Sequence, residues 1–155
     1  MKRLIAFLLV LAAFAAVLPA SAEESVLFII CNPKTYVCVR NSPKKGHNEG
    51  GQLDCGDYVL TDGVIKNGFV HVLGITENGD GWVHRGHLVP DPPVIETVKM
   101  MCSSNWDVIC RRWVKGRKVG KLRTGDTVTV YAKSEEWAVT NKGYVMTKYL
   151  EVDND

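Results

Sequence analysis

The chain has 155 residues, of which 46% are apolar, and its 19 basic and 17 acidic side chains give a formal net charge of +2. So small a charge excludes strongly basic classes such as nucleic-acid binders and polybasic membrane proteins, and the ordinary apolar content excludes disordered and collagen-like chains. The length suits one domain of ordinary size or two very small ones.

The first 22 residues have the three parts of a secretory signal peptide. Lys2 and Arg3 form a positive start, residues 4–18 are an unbroken apolar run, and Ala20 and Ala22 form a small-residue cleavage pattern. The alternative is a membrane anchor, but a helix of this run spans only about 22 Å, short of a bilayer core of about 30 Å. We therefore expect residues 1–22 to be cleaved and the mature protein to be secreted, with no membrane contact afterwards. Cleavage removes two basic residues and leaves a mature chain with no net charge.

The mature chain contains one series of landmarks twice. Segment 51–59 aligns with segment 120–128, and Gly-Trp-Val at 81–83 aligns with Gly-Tyr-Val at 143–145, each followed five residues later by Leu. Further landmarks recur in the same order: Phe69 with Trp137, Cys31 with Cys102, Cys38 with Cys110, and Arg40 with Arg112. The order predicts two copies of one unit of about 60 residues, a size at which the core is small.

Three prolines among residues 90–93 separate the two copies. Proline lacks the amide hydrogen that a sheet ladder needs, and a proline-rich stretch forms an extended, semi-rigid link. We therefore expect a first domain over residues 26–90, a linker over 91–94 and a second domain over 95–152.

Short segments rich in β-branched and aromatic residues, separated by Gly, Asn, Asp and Pro, predict an all-β fold. The predicted strands are 26–31, 36–40, 57–61, 68–73 and 81–84 in the first copy, and 95–102, 107–112, 127–132, 137–140 and 143–147 in the second. Five short strands in about 60 residues favour a small barrel, which leaves no free sheet edge. The expected core residues are Leu53, Val59, Val83 and Leu88 in one copy, and Leu122, Val128, Val145 and Leu150 in the other.

The motifs fall in the order typical of one family of exported domains. The first copy contains Val37-Cys38-Val39-Arg40 with Pro43 in the next loop, then Gly51-x-Leu53-x-x-Gly56-Asp57-x-Val59, an aromatic strand, Gly81-Trp82-Val83 and Leu88. The second copy departs from the pattern at Arg111, where an apolar residue is expected, and lacks the loop proline. Over residues 26–152 the chain resembles a tandem pair of bacterial SH3-like domains of the exported cell-wall type. The resemblance implies two small SH3-like β-barrels in tandem after a cleaved signal peptide, in a protein that is extracellular or associated with the cell wall.

Five cysteines in an exported chain point to disulfide bonds. Cys31 and Cys38 flank a turn between the first two predicted strands of one copy, and Cys102 and Cys110 flank the matching turn of the other. Recurrence of the pair favours the disulfides Cys31–Cys38 and Cys102–Cys110 over connections between copies. Cys55 is left over, because the second copy has Thr124 there. It is predicted to be either a free thiol or the site of an intermolecular bridge.

The sequence offers no strong pattern for a metal site or an enzyme. It has no Cys-x2-Cys pair, and all four histidines lie in the first copy. A wall peptidase with a cysteine nucleophile needs a histidine base and a further α/β domain, for which two small β domains leave no room. We therefore expect no metal, no cofactor and no catalytic residues. A thiol enzyme or redox protein that uses Cys55 is kept as a third hypothesis.

Charge is distributed unevenly between the copies. Residues 94–152 carry 11 basic and 6 acidic side chains, whereas residues 26–93 carry 6 basic and 7 acidic ones. The stretch 111–123 holds seven bases and no acid, and the resemblance implies that it is the long loop beside the ligand groove. The candidate ligand-binding residues are Trp106, Arg111, Arg112, Trp113, Lys115, Arg117 and Lys118. A basic loop edged by aromatic rings suits an anionic polymer, and the alternative is a solvated loop whose charges aid solubility.

The first copy offers a second, less basic candidate surface. Tyr36 and Trp82, with Asp54, Asp57 and the longer loop 44–50, are its members. Trp82 is equally well explained as part of a barrel wall, because Tyr144 matches it in the other copy.

These observations favour a secreted, non-catalytic protein that binds cell-wall material, either a peptidoglycan peptide or an anionic wall polymer. The alternative is an extracellular adaptor that binds an extended or Pro-rich peptide of a secreted partner. Neither nucleic acid nor membrane is an expected partner, and the oligomeric state is not predicted.

Overall fold

The computed structural model describes residues 23–46, 49–77 and 79–153. The predicted signal peptide at residues 1–22 lies outside these residues. Within the described ranges, no helix has both the length and the apolar character needed to cross a membrane.

The fold is all-β, as predicted, and its described residues form fifteen strands and two short 3₁₀ turns. The strands of the first half are β1 (Ser25–Ile29), β2 (Val37–Arg40), β3 (Glu49–Leu53), β4 (Tyr58–Thr61), β5 (Ile65–Lys66), β6 (Phe69–Thr76), β7 (Gly79–His84) and β8 (Leu88–Val89). Those of the second half are β9 (Val94–Cys102), β10 (Val108–Arg111), β11 (Lys118–Leu122), β12 (Thr127–Lys133), β13 (Trp137–Thr140), β14 (Gly143–Met146) and β15 (Leu150–Val152). The 3₁₀ turns are Arg85–His87, before β8, and Thr147–Tyr149, before β15.

The strands form three antiparallel sheets and not two closed barrels. Two sheets belong to the first half, with strand orders β4-β1-β8 and β3-β2-β7-β6-β5. The second half forms one sheet in the order β11-β10-β14-β13-β12-β9-β15. Its edge strands β11 and β15 each pair with one neighbour, so within the described residues this sheet is open.

Each half has its own core, and a third core lies between the halves. All eight core residues predicted from the sequence are buried. The third cluster combines Ile30 and Val89 of the first half with Ala132, Trp137, Val139 and Tyr144 of the second. Burial of apolar side chains from both halves holds them against each other, because each such side chain stabilises the contact by about 1.5–3 kcal/mol relative to exposure.

Backbone hydrogen bonds fix which residues of the two halves are equivalent. The amide of Gly56 donates to the carbonyl of Ile29 at 2.9 Å, and the amide of Gly125 donates to the carbonyl of Cys102 at 2.8 Å. Cys102 therefore corresponds to Ile29. The predicted match with Cys31, two residues further along, is wrong.

A second shift affects the strand that follows. Arg40 lies opposite Trp82 across β2 and β7, and Arg111 lies opposite Tyr144 across β10 and β14. Arg111 is therefore the equivalent of Arg40, and the predicted match with Arg112 is wrong by one residue. By the same register Cys110 corresponds to a valine of β2 and not to a cysteine. The sequence comparison aligned identical side chains, whereas the sheet aligns backbone positions.

Five strands were not predicted, and the most consequential is β11. Residues 118–122 lie inside the stretch 111–123 that was expected to be one long loop. This strand is at a sheet edge and four of its five side chains are not buried, so its sequence lacks the apolar alternation that reveals a strand. The remaining loop is residues 112–117. The strand β3 of the first half was missed for the same reason, since only its last residue is buried.

Candidate functional site

The two halves carry grooves built from the same structural positions. In the first half, Phe69 and His84 face each other across β6 and β7. In the second half, Trp137 and Met146 face each other across β13 and β14. The first groove is also lined by Val37, Cys38, Arg40 and His87, and the second by their equivalents Val108, Ile109, Arg111 and Tyr149. The chain thus contains one groove twice, with different side chains in it.

The groove of the first half is widened into a cleft by residues of the second half. The cleft has a volume of about 620 Å³, and Arg112, Trp113 and Arg117 line it from the loop 112–117. Tyr36 and Lys45 complete its wall. Four bases and three aromatic rings line the cleft, and no carboxylate is among its lining residues in the described ranges. The cleft is therefore cationic at neutral pH.

Trp113 joins the two halves at this cleft. Its indole stands edge-on to the ring of His84, with ring centroids 5.1 Å apart. The amide of the next residue, Val114, donates to the carbonyl of Gly86 at 3.0 Å. A methyl group at Gly86 would lie only 2.5 Å from the indole, so a glycine is needed for this approach. Gly116 packs on the same ring and closes the loop beneath it.

Cations from both halves lie over the Trp113 ring. The Arg112 guanidinium is 5.8 Å from the ring centroid, and the Lys45 ammonium of the first half is 5.9 Å from it. These are cation–π distances, and such contacts orient a cationic side chain without neutralising it. Both cations therefore keep their charge at the cleft.

A buried hydrogen-bonded chain lies behind the cleft. The Tyr144 hydroxyl donates to the carbonyl of Ile30 at 3.0 Å. Nδ1 of His87 lies 3.2 Å from the hydroxyl oxygen of Tyr144. Because the hydroxyl proton is used for Ile30, the neutral His87 ring must carry its proton on Nδ1 to complete the chain. Burial, and to a lesser extent the neighbouring His84, lowers the pKa of His87 to about 4. His87 is therefore uncharged at neutral pH.

His84 is also held in its neutral form. Its Nδ1 accepts a hydrogen bond from the amide of Gly86 at 3.2 Å, which requires an unprotonated Nδ1. Burial and then the charges of Lys45 and Arg85 lower the pKa of His84. At neutral pH the positive charge of the cleft therefore comes from arginine and lysine alone.

The structure brings some of the predicted ligand-binding residues together and separates others. Tyr36, Arg112, Trp113 and Arg117 share the cleft. Trp106 and Arg111 line the second groove instead. Lys115 and Lys118 line neither groove. Trp82 packs on the His71 ring, with centroids 4.8 Å apart, and is not among the lining residues of either groove.

Seven residues that line the cleft were not among the predicted ligand-binding residues, although one of them, Lys45, lies in the loop 44–50 assigned to the second candidate surface. The seven are Val37, Cys38, Arg40, Lys45, Phe69, His84 and His87. The equivalence of Phe69 with Trp137 was visible in the sequence and pointed to a shared position, but no pattern connects Lys45 with a loop more than 65 residues away. Asp54 and Asp57 are not among the residues that line the cleft, and the Asp57 carboxylate accepts the Asp54 amide at 2.8 Å to close a turn.

The second groove is smaller and has an unusual wall. Its volume is about 170 Å³. The indole nitrogen of Trp137 is buried in this groove's wall and has no hydrogen-bond partner among the described residues. Trp106 stands at the rim with 70% of its surface exposed. The exposed Trp106 ring offers a surface on which an apolar or aromatic ligand group can pack.

The cysteines do not occupy equivalent positions in the two halves. Cys31 is buried in the first core, whereas Cys38 lies on the outer face of β2 and lines the cleft. Cys102 and Cys110 are both buried in the second core, where burial and the nearby Cys102 raise the pKa of Cys110. All five residues are thiols in this structure. The disulfides Cys31–Cys38 and Cys102–Cys110 remain predictions, and the recurrence that favoured them does not hold in three dimensions.

No metal-binding constellation is formed within residues 23–46, 49–77 and 79–153, where no three His, Cys, Asp or Glu side chains are grouped to hold an ion. The nearest approach is His71, whose Nδ1 lies 2.8 Å from Asp62 and whose Nε2 lies 3.7 Å from Asp80. Both ring nitrogens thus face carboxylates.

Neither protein-family models nor curated proteins give a match to this chain. Among solved structures it is similar to NlpC2 from Trichomonas vaginalis, with 16% identity and a TM-score of 0.36 over 85% of this chain and 49% of that one. It is also similar to NlpC1 from the same organism, with 19% identity and a TM-score of 0.35 over 89% of this chain and 51% of that one. The chain spans about half the length of these proteins, and a likeness this distant carries no conclusion about function.

Proposed function

We propose that this chain is a secreted, non-catalytic binding protein made of two SH3-like domains that hold anionic cell-wall material in the cleft between them. The ligand is an anionic wall polymer or the carboxylates of a peptidoglycan peptide. The observation that carries the proposal is the composition of the cleft. Arg40, Lys45, Arg112 and Arg117 line it from both halves, together with three aromatic rings and no carboxylate among its described lining residues.

This set of side chains matches the chemistry of the proposed ligand. A guanidinium forms paired hydrogen bonds with a phosphate or carboxylate, and an ammonium adds a compact point charge. Aromatic rings pack against the apolar faces of sugars or peptide groups between the charges. A repeating anionic polymer presents both kinds of surface in alternation.

The SH3-like part of the proposal is supported by the recurrence of one strand plan. Both halves have a 3₁₀ turn before the last strand. Both also have a Gly-Asp turn in which the Asp carboxylate accepts a hydrogen bond from the backbone amide three residues earlier. Because the sheets are open, the proposal rests on strand order and turns and does not include a closed barrel.

Retention on purified walls tests the proposal. Mature protein is mixed with walls that keep or lack their teichoic acids, and the fraction retained is measured. We expect retention that falls when the anionic polymer is removed, and falls steeply with salt, because exposed charges are screened within about 10 Å at 0.1 M salt. The absence of retention on both preparations would contradict the proposal.

Two neighbouring residues provide a matched pair of variants. Arg117 lines the cleft, whereas Lys118 begins β11 and lines neither groove. Both are exposed, so neither change should alter stability by more than about 0.5 kcal/mol. We expect Arg117→Ala to weaken wall binding roughly three- to tenfold, as the loss of one ordinary hydrogen bond at an exposed site does, and Lys118→Ala to leave it unchanged. Equal effects of the two variants would show that only net charge matters.

A peptide-binding adaptor is the second candidate, and the second groove favours it. The exposed Trp106 ring suits an extended or Pro-rich peptide, whose proline rings pack on tryptophan. Binding of this kind depends little on salt. A salt-insensitive interaction lost in Trp106→Ala and kept in Arg117→Ala would favour the adaptor.

A further inference from the structure

Cys31 and Cys55 lie in contact where the first half meets the second. Cys31 follows β1, and Cys55 belongs to the turn between β3 and β4. The Cys31 amide donates to the Cys55 sulfur at 3.4 Å, and the Cys31 thiol donates to the carbonyl of Thr35 at 3.8 Å. Cys31 is 3% exposed, whereas Cys55 is only half-buried, between the core of the first half and the core between the halves.

The second half also joins these two positions, through a hydrogen bond of the opposite direction. By the Gly56–Gly125 equivalence, Cys55 corresponds to Thr124, and by the strand register Cys31 corresponds to Ser104. The Thr124 hydroxyl donates to the carbonyl of Ser104. A link between the end of the first strand and this turn is therefore a regular feature of the fold. In the first half alone, that link consists of two cysteines.

The two thiols differ in a way that suits oxidation. The hydrogen bond from Cys31 lowers the pKa of Cys55 to about 7, despite an opposing effect of burial. The same contact together with burial raises the pKa of Cys31. Near neutral pH the half-exposed Cys55 is thus partly thiolate beside a protonated neighbour, and the thiolate is the form that attacks disulfides.

We propose that Cys31 and Cys55 form a disulfide by exchange with a low-molecular-weight or protein disulfide. The Cys55 thiolate attacks one sulfur of the external disulfide, forms a mixed disulfide and releases one thiolate. The Cys31 thiol then loses its proton, its sulfur attacks the Cys55 sulfur, and the second external thiolate leaves. Both cysteines are oxidised, and the two electrons and two protons that they give up convert the external disulfide into two thiols.

This pairing has consequences for the rest of the molecule. Cys38, which the sequence had paired with Cys31, stays a free thiol in the cleft. The bond closes the chain between residues 31 and 55 directly beside Ile30, whose carbonyl accepts the hydrogen bond from Tyr144 of the second half. Oxidation therefore restrains the strand end that carries the contact between halves.

Peptide mapping tests the pairing. Mature protein is exposed to oxidised glutathione, blocked with an alkylating agent and digested without reduction. We expect one linked peptide joining residues 31 and 55, and alkylated Cys38. A Cys31–Cys38 peptide, or full alkylation of Cys31 and Cys55 after oxidation, would overturn the proposal.

Thermal unfolding provides an independent readout. Oxidation should raise the unfolding midpoint of the native sequence by roughly 5–10 °C, because the bond restricts the unfolded chain. The increase should be absent in Cys55→Thr, which takes the residue of the second half and is expected to fold. The control variant Cys38→Ser should keep the increase. An unchanged increase in Cys55→Thr would overturn the proposal.

Discussion

Trp113 of the second half stands edge-on to His84 of the first, and its indole packs closely on Gly86 of the first half. The two halves of the chain therefore meet through a side chain of one that lies in the groove of the other. Four properties of this arrangement can be measured directly.

Replacing Gly86 should disturb the packing of Trp113 against the first half. The added methyl group of Gly86→Ala would lie 2.5 Å from the indole, so the ring must move and we expect a loss of about 1–3 kcal/mol in the free energy of unfolding. Gly120→Ala is the control, because its nearest neighbour, at Cys110, is at an ordinary 3.9 Å. Denaturant unfolding measures both. In a Trp113→Ala background the Gly86 change should have little further effect, and full additivity would refute a shared contact.

Acid should destabilise the protein through His87. Its pKa is about 4 in the folded protein, whereas the ordinary value of 6.5 applies to the unfolded chain. The unfolded chain therefore takes up the proton first as the pH falls. The contribution of His87 to the free energy of unfolding is fully present above pH 6.5 and is lost as the pH falls toward 4. The loss is about 2 kcal/mol at pH 4.5. Below pH 4 both states are protonated and no further loss arises from this residue.

The variant His87→Gln isolates this effect. It removes the titration and keeps a side-chain donor near Tyr144. We expect the difference in unfolding free energy between pH 7 and pH 4.5 to shrink by about 2 kcal/mol in the variant. An equal pH dependence in both proteins would assign the acid sensitivity to other groups.

Removing the hydroxyl of Tyr144 should weaken the contact between halves. Tyr144→Phe leaves the carbonyl of Ile30 and the Nδ1 proton of His87 buried without their partner, which costs about 1–3 kcal/mol. Tyr58→Phe is the matched control, because that side chain is 65% exposed and should change stability by less than about 0.5 kcal/mol. Unfolding curves followed by tryptophan fluorescence and circular dichroism decide between them.

Trp137 offers a test in the opposite direction. Its buried indole N–H has no partner among the described residues, so Trp137→Phe removes an unmet donor while keeping an aromatic ring. The smaller ring loses some packing, and the two effects offset to within about 1 kcal/mol. Trp137→Ala should cost about 3–5 kcal/mol. If Trp137→Phe is as damaging as Trp137→Ala, the nitrogen has a partner that stabilises the fold.

The sequence predicted the parts of the fold that depend on local chemistry. All ten predicted strands overlap strands of the structure. The edge strand β11 escaped detection, because its exposed residues follow no apolar alternation. The sequence also did not reveal that the cysteines of the two halves are offset by two residues. Only the hydrogen-bond register shows that Cys102 is equivalent to Ile29.

The candidate site was predicted in part for a different reason. The basic loop with Trp113 was visible as a run of charge, but the two copies were predicted to carry separate surfaces, and the packing of the loop on His84 of the first half was not predicted. Contacts between halves depend on how two surfaces pack, and no local pattern encodes the approach of Lys45 to Trp113. Nothing in the sequence around Gly86 indicates that the Trp113 indole packs on this glycine.

Because Trp113 of the second half packs on Gly86 of the first, the two repeats are not interchangeable modules. Cutting the chain at the prolines would not release two small binding proteins. It would separate Arg112, Trp113 and Arg117 from the groove that they complete, and would expose the apolar surface around Ile30 and Val89. In this chain the cleft belongs to the pair of repeats and to neither repeat alone.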